Sequence, residues 1–161
     1  MRVNGKGSGR VSIAGLVCLK PGRRGHVFYR LRVHRSRTGE RRSLSEDDYA
    51  ALITAAHHQL HAPIILIWDG VNTHTSTTMR RLTAARHRWL TVVQLPAYAP
   101  DLNPVESLWS TVKAGLGNLA VDGVDHLAAI IRNRLKRIQY RPELIPGFLA
   151  QTGLELEPEP P

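Results

Sequence analysis

Two acidic residues in this sequence stand where an α/β domain would place metal-binding carboxylates. Asp69 follows the apolar run Ile64–Trp68, and Glu106 follows Asn103 and Pro104, two residues that favour a helix start. The acids are 37 positions apart, which accommodates a strand, a crossover helix, a second strand and a new helix. Because open α/β sheets place ligand-binding groups at the carboxyl ends of their strands, both carboxylates are predicted at one sheet end. There they could hold a divalent metal.

Each acid also has a structural interpretation. Asp69 and Gly70 form a common turn dipeptide, and Asp69 could cap a helix that begins near Thr75. Glu106 would be the third residue of its helix, which is the spacing of a capping box with Asn103. The residues alone leave both alternatives open.

The charge of the chain points to a polyanionic partner. The 161 residues suffice for one domain with a core, and they carry a formal net charge of +9 with a pI near 10.6. Residues 1–42 hold 12 of the 22 Lys and Arg residues and a single acid, Glu40. The basic residues predicted to contact DNA phosphates there are Arg30, Arg32, Arg35 and Arg37. Protection of an edge strand by charge is the alternative reading of the same residues.

Hydrophobic patterning predicts a mixed α/β order, in which the strand at His26–His34 alternates and the helix after Ser45 carries an apolar stripe that begins at Tyr49. The buried stripe predicted for the helix at Pro104 is Val105, Leu108, Trp109, Val112 and Leu116. Predicted strands are Val11–Leu19, His26–His34, Ile64–Trp68 and Leu90–Leu95, and predicted helices start at Ser45, Thr75, Pro104 and Val124. The run Ile64–Trp68 is apolar on both faces, which is typical of a central parallel strand covered by helices on either side. Residues 1–9 are predicted to be a flexible basic lead-in, 10–150 the domain, and 151–161 a disordered acidic, proline-rich tail.

Several other classes of site and location find little support in the sequence. Cys18 is the only cysteine, so an intramolecular disulfide is excluded. His57 and His61 have the i, i+4 spacing of a zinc pair without an evident third ligand, and a partly solvated helix face explains them better. No apolar run is long enough to span a membrane, so a cytoplasmic, nucleoid-associated protein is expected.

A second basic group lies near the end of the chain, in the predicted last helix. Its members are Arg132, Arg134, Lys136, Arg137 and Arg141. They either extend a DNA-binding surface or solvate the helix, and the sequence favours neither reading.

Two segments resemble a known family. Both look like segments of the DDE transposases of mariner-related bacterial insertion sequences. The first segment is Trp68-Asp69-Gly70-Val71-Asn72-Thr73-His74. The second and more specific segment is Leu95-Pro96-Ala97-Tyr98-Ala99-Pro100-Asp101-Leu102-Asn103-Pro104-Val105-Glu106-Ser107-Leu108-Trp109, followed by Lys113. The resemblance covers roughly residues 10–140. It implies an RNase H-like mixed sheet flanked by helices, and a metal-dependent enzyme that cuts double-stranded DNA at element ends and joins it to a target.

The resemblance also implies roles for individual residues. Asp69 and Glu106 would be the second and third acids of a catalytic triad that binds Mg²⁺ or Mn²⁺. Asn72 and His74 match the motif as site-shaping residues, Asn103 supports the motif, and Lys113 would approach a phosphate. A homodimer, or association with a companion transposase chain, is expected.

The sequence departs from this family at the first acid. The family carries that acid on a strand ahead of the one at Val11–Leu19, and no acid precedes Glu40 in this chain. We therefore expect an incomplete catalytic domain that lacks the first strand and is inactive alone. The alternative is a non-catalytic DNA-binding fragment that modulates an intact transposase. A third reading, a general nuclease of the same fold, predicts cleavage without element ends. Loss of a central strand would expose apolar sheet surface, which predicts poor solubility.

Overall fold

The computed structural model describes residues 1–4, 9–41, 43–69, 76–96 and 99–156. Among these residues the strands are β1 (Arg2–Asn4), β2 (Arg10–Cys18), β3 (His26–His34), β4 (Ile64–Trp68) and β5 (Leu90–Gln94). The helices are α1 (Glu46–Leu60), α2 (Thr77–Ala84), α3 (Pro104–Lys113), α4 (Gly123–Gln139) and α5 (Ile145–Ala150). Short 3₁₀ turns cover Pro100–Leu102, Leu116–Asn118 and Pro142–Leu144.

A three-stranded antiparallel sheet has the order β1-β2-β3. β3 has the predicted bounds, and its side chains alternate as predicted because successive residues of a strand point to opposite faces. Val27 packs into a large cluster beneath α3, α4 and α5, whereas Phe28 packs on the opposite face against α1. The sheet is therefore covered by helices on both faces.

The start of the chain differs from the flexible lead-in predicted for residues 1–9, and a short strand precedes β2 although the first strand was expected to be missing. Arg2–Asn4 forms β1, which pairs antiparallel with the first three residues of β2. The amino group of Met1 donates a hydrogen bond to the Ile13 carbonyl at 2.8 Å. Met1 and Val3 also pack against the large cluster. Backbone pairing along the edge of β2 and this apolar packing together fix the segment.

Helix α1 joins the antiparallel sheet to the parallel strand pair. Leu52 and Ala56 face the sheet and pack with Phe28, whereas Ile53 packs with Leu66 and Met79 in a third cluster beneath β4 and β5. The helix begins at the predicted Ser45, whose side chain accepts a hydrogen bond from the Asp48 backbone in a capping box. One helix thus contributes to two hydrophobic clusters.

Strands β4 and β5 are parallel, as predicted, but the helices that the structure describes cover only one of their faces. Leu66 and Trp68 are buried against α1 and α2. On the opposite face Ile65 is 72% exposed, Ile67 58% and Val93 47%. The prediction of a strand buried on both faces is therefore wrong, because α3, α4 and α5 pack over β2 and β3 instead.

Helix α3, which carries Glu106, packs unusually close to β2. A Cβ atom at Gly15 would lie 2.6 Å from Cη2 of Trp109, so only glycine lets the indole approach this strand. Leu108, Trp109 and Val112 form the buried stripe of the helix, as predicted. At the other end of α3, the Arg134 guanidinium donates to the carbonyls of Val112 and Ala114, where a cation stabilises the helix terminus.

The exposed face of β4 predicts a measurable solubility effect. Replacing Ile65 and Ile67 together by threonine keeps β propensity while removing exposed apolar surface. We expect the double variant to give a larger monodisperse fraction in size-exclusion chromatography with light scattering, with a melting temperature close to that of the wild type. Leu66→Thr, on the buried face, is the control and should lower stability by about 2–4 kcal/mol without improving solubility. Equal aggregation of the double variant and the wild type would contradict the prediction.

Candidate metal site at the ends of strand β4 and helix α3

Asp69 lies directly after β4, at the carboxyl end of a parallel strand. The Trp68 carbonyl accepts a hydrogen bond from the Leu95 backbone at 2.8 Å, which holds this end of β4 against β5. The Oδ1 atom of Asp69 is buried. The N-cap of α2 is Ser76, whose hydroxyl accepts a hydrogen bond from the Met79 backbone at 3.1 Å. Helix capping therefore does not explain Asp69.

Glu106 lies in the first turn of α3, and its capping role is also excluded by the local hydrogen bonds. Asn103 is the N-cap, as predicted, and its Oδ1 accepts from the Val105 backbone at 3.1 Å. In a capping box the Glu106 side chain would accept from the Asn103 backbone N–H. That N–H instead donates to the Pro100 carbonyl at 2.9 Å. The Glu106 side chain is exposed and available to a ligand.

The charges of both acids act on the amino group of Met1. Burial lowers the pKa of this amine, while the negative charges of Glu106 and Asp69 act to raise it. Lys113 acts on the same group with the opposite sign. Because electrostatic effects of this kind fall with distance, Asp69, Glu106 and Lys113 all lie within electrostatic range of the start of β1. The sharing of one metal by the two carboxylates stays a prediction.

Tyr49 is a neighbour of the site that the sequence did not single out. Burial raises the pKa of its phenol, and the negative charge of Asp69 raises it further. Tyr49 belongs to the helical stripe of α1, so its spacing predicted a core residue and gave no sign of a polar role. Only the packing of α1 against β4 brings its hydroxyl into the field of Asp69.

The donors present fit a hard divalent cation. Magnesium prefers oxygen ligands and commonly binds through one or two carboxylates, with water and substrate phosphates completing its shell. Asp69 and Glu106 supply two such carboxylates. Within the described ranges, no group of three or more His, Cys, Asp or Glu residues is positioned to hold a metal. Asn72 and His74, predicted as site-shaping residues, lie outside the described residues.

Two arginines predicted to contact DNA have structural partners. The Arg30 Nε lies 2.8 Å from Oδ1 of Asp48, and Arg32 Nη1 lies 3.3 Å from Oδ2 of the same carboxylate. Asp48 is almost completely buried, whereas the two arginine side chains remain 47% and 41% exposed. These ion pairs connect β3 to the start of α1, and the exposed parts of both guanidinium groups leave the predicted DNA contact open.

The other two predicted DNA-binding arginines follow β3. Arg35 pairs with Asp125 of α4 at 2.6 Å on the surface. The side chain of Arg37 is exposed and makes no ion pair with any described residue, while its backbone N–H donates to Glu40. DNA binding by Arg35 and Arg37 stays a prediction.

The histidine pair and the cysteine have packing roles. The ring of His57 stacks on Trp89 with centroids 3.9 Å apart, and its Nδ1 bonds to the Ala62 carbonyl at 2.9 Å. His61 caps the end of α1 in a left-handed conformation. Burial raises the pKa of Cys18 to about 12, so the thiol is protonated at neutral pH. None of the described helices is long and apolar enough to cross a membrane.

The mixed sheets flanked by helices, with one acid after a strand and another at a helix start, agree with the predicted RNase H-like fold. Among solved structures, the catalytic domain of Mos1 mariner transposase matches with a TM-score of 0.51 and 15% identity, over 91% of this chain and 83% of that one. The Mos1 mariner paired-end complex with Mn matches with a TM-score of 0.50 and 15% identity, and this chain spans 56% of that transposase. At this identity the likeness shows the fold.

Sequence comparison identifies the family. Residues 4–128 match the DDE superfamily endonucleases, and the chain belongs to that family. Comparison with curated proteins gives no match. The family resemblance predicted from the two acid-bearing segments is therefore confirmed.

The hydrogen bonds at the start of α3 separate a capping residue from a functional one. Asn103→Ala should lower the free energy of unfolding by about 1 kcal/mol, because the Val105 N–H loses its acceptor. Glu106→Gln should change it by less than about 0.5 kcal/mol, because Glu106 does not close a capping box. Urea denaturation of both variants measures the difference. A loss with Glu106→Gln as large as that with Asn103→Ala would restore the capping interpretation.

Asp48 should make stability depend on pH in a defined direction. Although burial opposes its ionisation, hydrogen bonds from the Ser45 backbone and Arg30 hold the pKa of Asp48 below its ordinary value. A carboxyl group with a lowered pKa in the folded state stabilises fully above its unfolded pKa, near 4, and loses this effect as the pH falls through the lowered value.

Asp48→Asn should therefore cost about 1–3 kcal/mol at pH 7 and progressively less below about pH 4. Denaturant unfolding of the variant and the wild type across pH 2.5–7 measures this difference. Asp47→Asn, at the exposed neighbouring position, is the matched control and should change stability by less than about 0.5 kcal/mol. A cost for Asp48→Asn that is independent of pH would contradict the ion-pair account.

Proposed function

We propose that this chain is the catalytic domain of a DNA transposase, in which Asp69 and Glu106 bind Mg²⁺ or Mn²⁺ for DNA cleavage and strand transfer. The proposal rests on the placement of Asp69 directly after β4 and of Glu106 in the first turn of α3, with both charges acting on the amino group of Met1. Membership of the DDE superfamily endonucleases supports the reaction class. The similar Mos1 mariner transposase forms a paired-end complex with Mn, which agrees with a DNA substrate and a divalent metal.

Each residue of the site would have a role that follows from its position. Asp69, with one buried oxygen, provides a fixed ligand at the end of β4. Glu106 extends from the first turn of α3, and Lys113 lies two turns further along the same helix, where its ammonium can contact a DNA phosphate. A bound divalent cation would activate the attacking hydroxyl or water and stabilise charge on the leaving oxygen.

We further propose that the chain on its own does not cleave DNA. Two carboxylates can hold one cation, but two cations in close proximity repel each other and need additional negative ligands. A third acid supplied by a companion chain would complete the metal centre. The proposed binding partner is double-stranded DNA, both at element ends and at target sites. The proposed location is the cell interior. Without that acid the chain would act as the DNA-binding fragment of a larger transposase assembly.

Metal binding tests the proposal independently of catalysis. We expect titration of the purified chain with Mn²⁺, followed by electron paramagnetic resonance of the free ion, to show one site. Asp69→Asn and Glu106→Gln should each weaken binding by at least about tenfold, the loss typical even of residues that only support metal ligands. Asp101→Asn, an exposed acid in the turn before α3, is the matched control and should bind like the wild type. Retained affinity in both site variants would refute the assignment.

A cleavage assay separates the remaining alternatives. The purified chain is incubated with Mg²⁺ or Mn²⁺ and either DNA carrying the ends of the proposed element or a plasmid without them. Our proposal expects no cleavage of either DNA. Robust cleavage confined to element ends would refute the inactivity of the isolated chain, and cleavage of both substrates would indicate a general nuclease.

A further inference from the structure

Helix α4 presents an exposed basic surface on the side away from the core. The surface is formed by Asn133, Lys136, Arg137 and Tyr140, which line a cavity of about 390 Å³ and are called the α4 outer face below. Their positions follow the helical spacing of one face, three or four residues apart. The opposite side of the helix is buried in the large cluster, so this face is directed outward.

The helix is held firmly enough to present these side chains in fixed positions. Leu127, Ile131 and Leu135 are at most 2% exposed. Near the end of the helix, the Gln139 side chain donates to the Val27 carbonyl of β3 at 2.7 Å. A surface built on a packed helix is better ordered than one on a loop, which favours a specific ligand over general solvation.

The charge of the α4 outer face is not compensated. Residues 126–142 contain no acid, and neither Lys136 nor Arg137 forms an ion pair with a described residue. This contrasts with Arg30, Arg32 and Arg35, each of which has a carboxylate partner. Basic residues in the last turn of a helix do stabilise its dipole, which accounts for part of this composition.

Tyr140 is the feature that helix stability does not explain. It is 72% exposed, whereas Trp109 and Phe148 on neighbouring helices are 5% exposed. An exposed aromatic ring between cations is the arrangement with which proteins bind single-stranded nucleic acid: the ring stacks on a base and the cations contact the phosphates on either side. Duplex DNA offers the phosphates but keeps its base faces stacked inside.

We propose that the α4 outer face binds single-stranded DNA, with an unpaired base on Tyr140 and backbone phosphates on Lys136 and Arg137. The choice of DNA over RNA rests on the proposed transposase function. The binding itself needs neither Asp69 nor Glu106 nor a metal, so the two proposals can fail separately. The α4 outer face would hold a strand that has left the duplex.

Fluorescence anisotropy with a labelled twelve-nucleotide oligothymidylate, in EDTA and at several salt concentrations, tests this site. The double variant Lys136→Ala/Arg137→Ala should make the negative slope of log affinity against log salt less steep by about 1.4. Each phosphate contact on a single strand contributes roughly 0.7 to the magnitude of this slope. Tyr140→Ala should weaken binding about 5- to 150-fold, the range that one stacked base provides. Tyr140→Phe keeps the ring and should bind like the wild type.

Controls make each outcome decisive. Arg81→Ala/Arg88→Ala removes two exposed cations from α2 and the turn that follows it, and should leave the salt slope unchanged. On a blunt duplex of equal length Tyr140→Ala should change affinity by less than about twofold, because no base is free to stack. The proposal would be overturned if the Arg81/Arg88 variant reduced the salt slope as much as the Lys136/Arg137 variant does. It would also be overturned if Tyr140→Ala lost as much affinity for the duplex as for the single strand. Tighter binding of the matching RNA would overturn the choice of DNA.

Discussion

The close contact between Trp109 and Gly15 determines where the second carboxylate lies. Because a Cβ at position 15 would come within 2.6 Å of the indole, the absence of a side chain there sets the distance between α3 and β2. Glu106 is three residues before Trp109, nearly one turn along the same helix. Any change that lifts the indole from the strand would therefore move the carboxylate.

The two acids depend on different hydrophobic clusters. Glu106 is positioned by the large cluster beneath α3, α4 and α5, whereas Asp69 follows β4, which packs in the separate cluster with α1 and α2. Helix α1 connects the two parts, since Ile53 packs beneath β4 while Asp48 binds Arg30 and Arg32 of β3. The geometry of the site is thus a property of the whole domain.

Local sequence patterns predicted most of the strands and helices, but they were less informative about how these elements pack against each other. The alternation of side chains in β3 and the apolar stripe of α3 predicted the correct buried faces. The spacing of apolar residues within one element is enough to define the buried face of that element. The sequence also placed both acids at element ends. It did not predict β1, whose three residues acquire their conformation by pairing with β2, nor α5, which follows directly from a 3₁₀ turn.

Contacts between distant segments account for the remaining differences. Composition predicted a β4 buried on both faces, yet only the packing of all the helices decides which faces are covered. The position of Tyr49 near Asp69 was not predicted for the same reason, because the spacing of Tyr49 along α1 equals that of a core residue. For Glu106 the sequence could not distinguish a cap from a ligand, because the choice depends on whether the Pro100 carbonyl reaches the Asn103 backbone.

The one-sided burial of the β4–β5 pair has a consequence for the dynamics of the domain. Segments with few buried apolar contacts open locally at a lower free-energy cost than the global unfolding of the protein. Two short parallel strands whose outer side chains face solvent form such a segment, and Asp69 lies at its end. We expect its backbone amides to exchange with solvent sooner than those of β2 and β3, so Asp69 follows a segment that opens at a lower free-energy cost than the antiparallel sheet.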